Sequence, residues 1–433
     1  MIDNLLSDLG VEHLALFIIS ITLIVFVLDR IPIALTALIS SLILAISGAM
    51  DFEKVYSGFA TPVTLLVFGM LIVGYALFET GAVSLVGKWI LKSRLADNER
   101  HLLALLMLVA GLGSAILSNT ALMATFIPLI GGMVASAPGN LTNKNLLMPL
   151  GMAASVGGTI TLVGSTSQPV ASAILSESGY GELGMFDFAP VALPMLIVLI
   201  VYMVTIGYRI EQRCFVFDDH STIGGAAEDP PGNASVTWKT YVSICTLFFC
   251  IICFITGILP IEITALIGAA TVLCTGCIGF EKAMKQLDWN TVLLIAFAQG
   301  IAAGMNDSGA GELVGRWSVS IVGSNPILLL AIAVVVTVIL TNIMSNTATA
   351  AMMVPIFISI ATGVGYNPFI FVLAIAIASN ASIATPIGGT AMSQTLVAGY
   401  GFRDYLKLGL PITAVLSIMV IVATPAVFEF API

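Results

Sequence analysis

Hydrophobic positions run through this chain in long blocks, and the length of each block sets the first expectation. An α-helix rises about 1.5 Å per residue, so about 20 apolar residues span the ~30 Å hydrocarbon core of a bilayer. Blocks at 11–29, 31–50, 58–79, 187–207, 239–257, 261–279, 289–307 and 406–427 meet that test. Two more, 146–176 and 367–398, are long enough to cross but are broken midway by Gly, Thr and Pro. Together they predict ten crossings. The stretches 101–135 and 326–362 differ. Ser118-Asn119-Thr120 and Ser345-Asn346-Thr347 cut each into two arms, both short of the roughly 20 residues a crossing needs. They predict re-entrant helical hairpins that enter and leave on one side. The expected fold is an all-α polytopic membrane protein.

Composition agrees. Apolar residues make up 58% of 433 positions and charged residues 9%, and mean hydropathy is +1.08. A soluble domain needs about a quarter of its residues charged, so the solvent here is largely hydrocarbon. The first apolar run is longer than a signal-peptide core and has no small-residue cleavage site after it, which reads as a retained helix. Net charge is −9, carried in loops, and points to no nucleic acid. Cys274 and Cys277 have CxxC spacing without a second pair or a nearby His. They read as packing residues, as do the other four cysteines.

Threading the chain through ten crossings and two hairpins sorts its basic residues. Arg30, Lys88, Lys92, Arg94, Arg100, Lys144, Arg209, Arg213, Lys239, Lys282, Lys285, Arg403 and Lys407 fall on one side. Only Lys54 and Arg316 fall opposite. The crowded side is cytoplasmic by the positive-inside rule, so both termini face outward from the inner (plasma) membrane. Lys88, Lys92, Arg94 and Arg100 flank an amphipathic stretch expected along the cytoplasmic surface. The polar segment 208–238 reads as a cytoplasmic linker between a first unit, 1–207, and a second, 239–433.

Those units repeat. Ser118-Asn119-Thr120-Ala121 with Pro128 matches Ser345-Asn346-Thr347-Ala348 with Pro355. Gly81-Ala82 and Leu85-Val86-Gly87-Lys88-Trp89 match Gly309-Ala310 and Leu313-Val314-Gly315-Arg316-Trp317. Thr159 and Ser167-Gln168 match Thr385 and Ser393-Gln394, and Tyr180-Gly181 matches Tyr400-Gly401. Each unit has an odd number of crossings, so the second copy lies inverted in the membrane. Inverted repeats with paired discontinuous helices are the mark of secondary transporters.

A break in a membrane helix leaves backbone groups unpaired, which survives only inside protein or beside bound ions and solute. Four such breaks are expected: the two hairpin tips, Gly157-Gly158-Thr159 and Ala384-Thr385-Pro386. Half-helix N-termini there offer N–H groups and partial positive charge to an anion. Free carbonyls with Ser, Thr and Asn oxygens offer hard ligands for Na⁺. No Lys, Arg or His is expected deep in the bilayer, so an anion would have its charge offset by helix ends and co-bound cations. Glu79 and Asp307 sit at matching helix ends and read as interfacial.

The stretch Ser345-Asn346-Thr347-Ala348-Thr349-Ala350-Ala351-Met352-Met353-Val354-Pro355-Ile356 resembles the signature of the divalent-anion:sodium symporter family. The resemblance continues through Ser155-Val156-Gly157-Gly158-Thr159, Ala384-Thr385-Pro386 and Gly399-Tyr400-Gly401-Phe402-Arg403-Asp404-Tyr405-Leu406-Lys407. It implies an elevator-type homodimer carrying di- or tricarboxylates or sulfate. Carried over by position, it implies one sodium site at Ser114, Ser118, Asn119 and Gly158, and another at Thr341, Asn346 and carbonyls near Met344 and Ala384. Substrate oxygens would meet Ser118, Asn119, Thr120, Thr159, Ser345, Asn346, Thr347, Thr385 and Pro386. In place of the Pro-Asn elements of many members, this sequence has Gly164-Ser165-Thr166-Ser167-Gln168-Pro169 and Pro386-Ile387-Gly388-Gly389-Thr390.

The functional expectation is a Na⁺-coupled symporter of a small divalent anion, C4-dicarboxylate first, then citrate or sulfate. An anion exchanger, or a related carrier of arsenite or of Na⁺ and H⁺, is the alternative within transport. A membrane receptor or scaffold is the alternative outside it. An intramembrane enzyme is not expected: the apolar runs hold no paired acids, HExxH or Ser-His set, and His13, His101 and His220 lie at helix ends or in loops.

Overall fold

The computed structural model describes residues 10–28, 30–82, 85, 98–136, 141–215, 237–322, 325–381 and 383–433. These residues form helices and their connections, and an isolated β-bridge joins Tyr366 to Pro432. In the first half the helices are α1 (Val11–Leu28), α2 (Ile33–Ile46), α3 (Lys54–Ser57), α4 (Pro62–Glu79), α5 (Glu99–Ser114), α6 (Asn119–Ser136), α7 (Asn143–Gly157), α8 (Ser167–Glu177) and α9 (Ala189–Cys214). In the second half they are α10 (Trp238–Thr256), α11 (Ile261–Cys274), α12 (Phe280–Gln286), α13 (Trp289–Asp307), α14 (Ala310–Val322), α15 (Pro326–Thr341), α16 (Asn346–Gly363), α17 (Phe369–Asn380), α18 (Thr390–Gln394) and α19 (Phe402–Val427). The stretch holding Lys88, Lys92 and Arg94 lies outside the described residues, as does most of the expected linker, whose first residues continue α9.

Among the described residues, α1, α4, α9, α10, α16 and α19 are each long and apolar enough to cross a bilayer. The pair α12 and α13, bent by 64°, makes a further candidate. The chain is therefore a multi-pass membrane protein. The expected crossings at 31–50 and 261–279 are shorter helices, α2 and α11. Each ends at a turn closed by a left-handed glycine, Gly48 (φ 78°) and Gly276 (φ 67°). The apolar block had counted these turns as helix. A count of ten crossings needs α2, α11 and the two broken helices added to α1, α4, α9, α10, α13 and α19, with α16 left out.

Length makes α16 a candidate crossing, where the sequence expects the second arm of a re-entrant hairpin. A Cβ at Gly315 would meet Ser359 O at 2.5 Å and Gly363 Cα at 3.1 Å, so the end of α16 lies against α14. The end of α14, Val322, in turn lies just before the start of α15 at Pro326. The hairpin α15–α16 thus opens and closes at one end. For α5–α6 the closure is a side chain: Glu99, which opens α5, accepts from Thr142 N at 3.1 Å and Thr142 Oγ1 at 3.2 Å, just ahead of α7.

The two halves are laced together. First-half α4 packs on second-half α11, and second-half α13 packs on first-half α2. Likewise α8 packs on α16, while α18 packs on α6 and α7. Left-handed glycines close matching helices, Gly81 (φ 73°) after α4 and Gly309 (φ 79°) after α13. Only glycine takes this conformation without a steric penalty. The buried centre is made of α7 and α17, whose residues Leu146–Val156 and Ile370–Asn380 are buried throughout. Large apolar side chains such as Phe17, Ile252, Ile255, Ile418 and Val422 are exposed on α1, α10 and α19, a surface suited to lipid.

Candidate functional site

The hairpin tips form because a polar triplet in an apolar run can satisfy itself only by capping a new helix. Ser345 Oγ accepts from Ala348 N at 3.3 Å and starts α16. In the first hairpin the chain turns through Ala115–Ser118 and restarts at Asn119. Each tip is fastened to its own first arm by a hydroxyl five residues earlier. Ser114 Oγ donates to Asn119 Oδ1, and Thr341 Oγ1 donates to Asn346 Oδ1 at 2.7 Å.

Broken helices close onto these tips. Thr161 Oγ1 donates to Ala115 O, and Thr385 Oγ1 donates to Asn342 O at 2.8 Å. The bonds pair Thr161, rather than Thr159, with Thr385. Thr159 is fully buried and donates to Val156 O in its own turn at 2.5 Å.

Two groups of oxygens result. Around the first tip, a Cβ on Gly158 would meet Asn119 Oδ1 at 2.6 Å, and one on Gly164 would meet Gly158 O at 2.5 Å and Ser114 O at 2.7 Å. The carbonyls of Ser114 and Gly158 and the side chains of Ser114 and Asn119 therefore crowd one place. Around the second tip, Asn346 Oδ1 lies 2.6 Å from Gly388 O, 2.9 Å from Ser379 O and 2.7 Å from Thr341 Oγ1. Turned over, the amide donates to all three, so the second tip gathers three oxygens, Thr341 Oγ1, Ser379 O and Gly388 O, around Asn346. Such a group has the hard, partly charged oxygens that small cations take. Met344 and Ala384 are buried, beside the turn that Thr385 closes.

Between the tips lies a cavity of 230 Å³. Its polar wall is Ser118, Asn119 and Thr120 from the first tip, Ser345, Asn346 and Thr347 from the second, Ser165 and Thr166, Gly388–Thr390, and Asn380. Apart from Asn380, which ends α17, these lie at the starts of α6, α16, α8 and the short α18, so several helix N-termini face one space. Backbone N–H groups and the helix dipole there favour an anion. The opposite wall is Val67, Met70, Leu71, Tyr75 and Phe78 of α4, with Asp288, Asn290 and Thr291 at the start of α13. Among the described residues, none that lines it is Lys, Arg or His.

Of the residues expected to meet substrate, the two Ser-Asn-Thr triplets line the cavity; Thr159, Thr385 and Pro386 lie outside its lining. Sequence reasoning missed Asn380 and Asp288; Ser165, Thr166, Gly389 and Thr390 fall in the two stretches that depart from the family pattern beside the expected site, without being named as contacts. Asn380 is fully buried and ties the halves together. Its Oδ1 accepts from Asn346 Nδ2 at 2.9 Å and Ser165 Oγ at 2.7 Å, and its Nδ2 donates to Ser167 Oγ. An Asn closing the apolar run Phe369–Ser379 was the available signal.

A family profile described as "Citrate transporter" matches residues 23–250 and 251–431, nearly the whole chain. The chain belongs to the citrate transporter family. It is 21% identical to the transporter YfbS of Escherichia coli strain K12, over 96% of this chain and 99% of that one. It is 24% identical to the sodium-dependent dicarboxylate transporter SdcS of Staphylococcus aureus strain USA300, over 84% and 75%. The resemblance to divalent-anion:sodium symporters thus extends along most of the chain. The fold is similar to the YdaH transporter of Alcanivorax borkumensis, with a TM-score of 0.61 at 16% identity over 96% and 98%. It is also similar to MtrF of Neisseria gonorrhoeae, with 0.57 at 14% over 96% and 94%. As a member of the citrate transporter family it is a secondary transporter and not an enzyme.

Proposed function

We propose that this citrate-family transporter carries a small dianion inward with Na⁺, a C4-dicarboxylate first and citrate or sulfate after it. The observation that carries the reading is a cavity faced by helix N-termini, flanked by two groups of oxygens and, among the described residues, lined by no basic side chain. Its volume suits a small solute and not a drug-sized one, which needs about 300–1,000 Å³. Cations held at Ser114, Asn119 and Gly158, and at Thr341, Asn346, Ser379 and Gly388, would make the N-termini between them attractive to a dianion. Empty cation sites would leave the anion only partial dipole charge. That difference couples the two solutes, because a ligand shifts an equilibrium only by its differential affinity. SdcS, named for sodium-dependent dicarboxylate transport, supports this choice over exchange.

In this reading the hairpins, the broken helices and the helices packed on them, α5–α8 and α15–α18, move together as an elevator. They slide past a scaffold of α2, α4, α11 and α13 in a homodimer in the inner membrane, both termini outward. The units 1–207 and 239–433 each supply half of both bundles. Uptake of labelled succinate by proteoliposomes under Na⁺, K⁺ or choline gradients tests it. Uptake should need inward Na⁺; uptake indifferent to Na⁺ sinks symport, and no uptake of any dianion sinks the substrate class.

A further inference from the structure

Each half carries one Phe-Glu-Lys triplet just before its long scaffold helix: Phe52-Glu53-Lys54 before α4 and Phe280-Glu281-Lys282 before α13. The acids that close those helices, Glu79 and Asp307, match in the same register. Lys282 Nζ binds Glu79 Oε1 at 2.7 Å, a triplet lysine on the acid of the other half's helix. Repeat symmetry therefore assigns Lys54 to Asp307. The structure gives it a different partner. Lys54 Nζ lies 2.5 Å from Glu177 Oε1. Asp307 and Asp51 stand behind, close enough to add to the rise in the Lys54 pKa that Glu177 dominates.

Glu177 is the last residue of α8, the half-helix that follows the first break and packs on α16. Lys54 lies in α3, which packs on α13. The pair therefore joins the helices that bear the site to those opposite. Aligning Tyr180-Gly181 with Tyr400-Gly401 puts Val397 where Glu177 would recur. Among the described residues, only the first lysine has a rival acid, and that acid rides with the site.

We propose that Lys54 is a conformational latch: it holds Glu177 in the conformation described here and passes to Asp307, its symmetry-related partner, when the site-bearing helices slide. The proposal rests on the elevator reading above. Exchange between two carboxylates leaves the ammonium compensated in both end states; Asp307 is exposed and solvated while Glu177 holds the lysine, and Glu177 must reach water when it lets go. Lys54 is 40% exposed and Glu177 13%, so the latch has the strength of a partly exposed pair. That amounts to a two- to five-fold bias in population, roughly.

Spin labels at Trp238, on α10 where it packs against scaffold helices α11 and α4, and at Leu396, just after α18, both exposed, in a variant with its six cysteines replaced, report the scaffold-to-site distance in proteoliposomes. The parent should show two distances whose ratio responds to Na⁺ and succinate. Glu177→Gln should deplete the conformation described here about two- to five-fold, and Asp307→Asn should enrich it by a similar factor. Glu177→Asp should hold the parent ratio, and Lys54→Ala should erase the effect of both neutralisations. Neutralisations that leave the ratio unchanged, or move it the same way, overturn the latch alone. A single distance under all conditions overturns the elevator reading, and the latch with it.

Discussion

The hydroxyls of Thr120 and Thr390 lie 2.7 Å apart across 270 positions of sequence. Thr347 and Thr166 form the matching pair. Each hairpin tip is thereby bonded to the broken helix of the other half, and both bonds sit in the cavity wall. A solute oxygen entering there would exchange with them. Thr120→Val and Thr390→Val keep the shape and remove one hydroxyl each. A hydrogen bond contributes about 0.5–1.5 kcal/mol net. Each change should therefore raise the KM for the dianion by roughly 2–12-fold, and the double variant should fall well short of the product. Initial-rate uptake at saturating Na⁺ measures it.

That relationship marks the limit of what the chain alone discloses. The tips were legible because a polar triplet inside an apolar run has few ways to be satisfied in lipid, and two copies in register imply a shared centre. The partners of the tips were not. Gly164–Thr166 and Gly388–Thr390 look like irregular loops until the breaks bring them to Asn119 and Asn346. Asn380 closes an ordinary apolar helix, and its role comes from Ser165 and Asn346, far away in sequence. The ends of α2 and α11 were overrun for a local reason: the apolar signal continues through turns that Gly48 and Gly276 close.

Asn346 serves two roles if the reading of the site holds, facing Ser379 O and Gly388 O on one side and the cavity on the other. Asn346→Ala should weaken Na⁺ activation and dianion uptake together, each by about tenfold or more, as removal of a buried, multiply bonded polar group does. Asn119→Ala should behave alike at the first tip. The Na⁺ dependence of uptake at fixed succinate decides it. Unchanged Na⁺ activation with reduced uptake would place Asn346 with the solute only.

Gly158 and Gly164 test the first oxygen group without removing any oxygen. A Cβ at Gly158 has Asn119 Oδ1 at 2.6 Å and Asn119 Nδ2 at 3.0 Å, so Gly158→Ala must push that amide aside. Na⁺ affinity should fall about tenfold with little change in detergent-solubilised melting temperature, since a displaced ligand costs binding more than packing. Gly132→Ala is the control, because nothing lies within 4 Å of its Cβ position. Isothermal titration of Na⁺ into both variants compares them.

Among the described residues, Asp288 is the acid in the cavity lining. It caps α13, accepting from Thr291 N at 3.2 Å and Thr291 Oγ1 at 2.5 Å. Asn caps a helix as well as Asp, so Asp288→Asn removes the charge and leaves the fold near neutral. The carboxylate repels a dianion in the same cavity, by about 1–2 kcal/mol at the effective dielectric of a partly wet site some 10 Å across. Its removal should lower the KM for succinate roughly 5–30-fold at low Na⁺, and by less as Na⁺ saturates and supplies the compensating charge. A monovalent carboxylate should gain about the square root of that factor, since the repulsion scales with solute charge. Competition of succinate and a monocarboxylate against labelled substrate, at two Na⁺ concentrations, separates this charge effect from a change in cavity shape, which would act on both solutes irrespective of Na⁺.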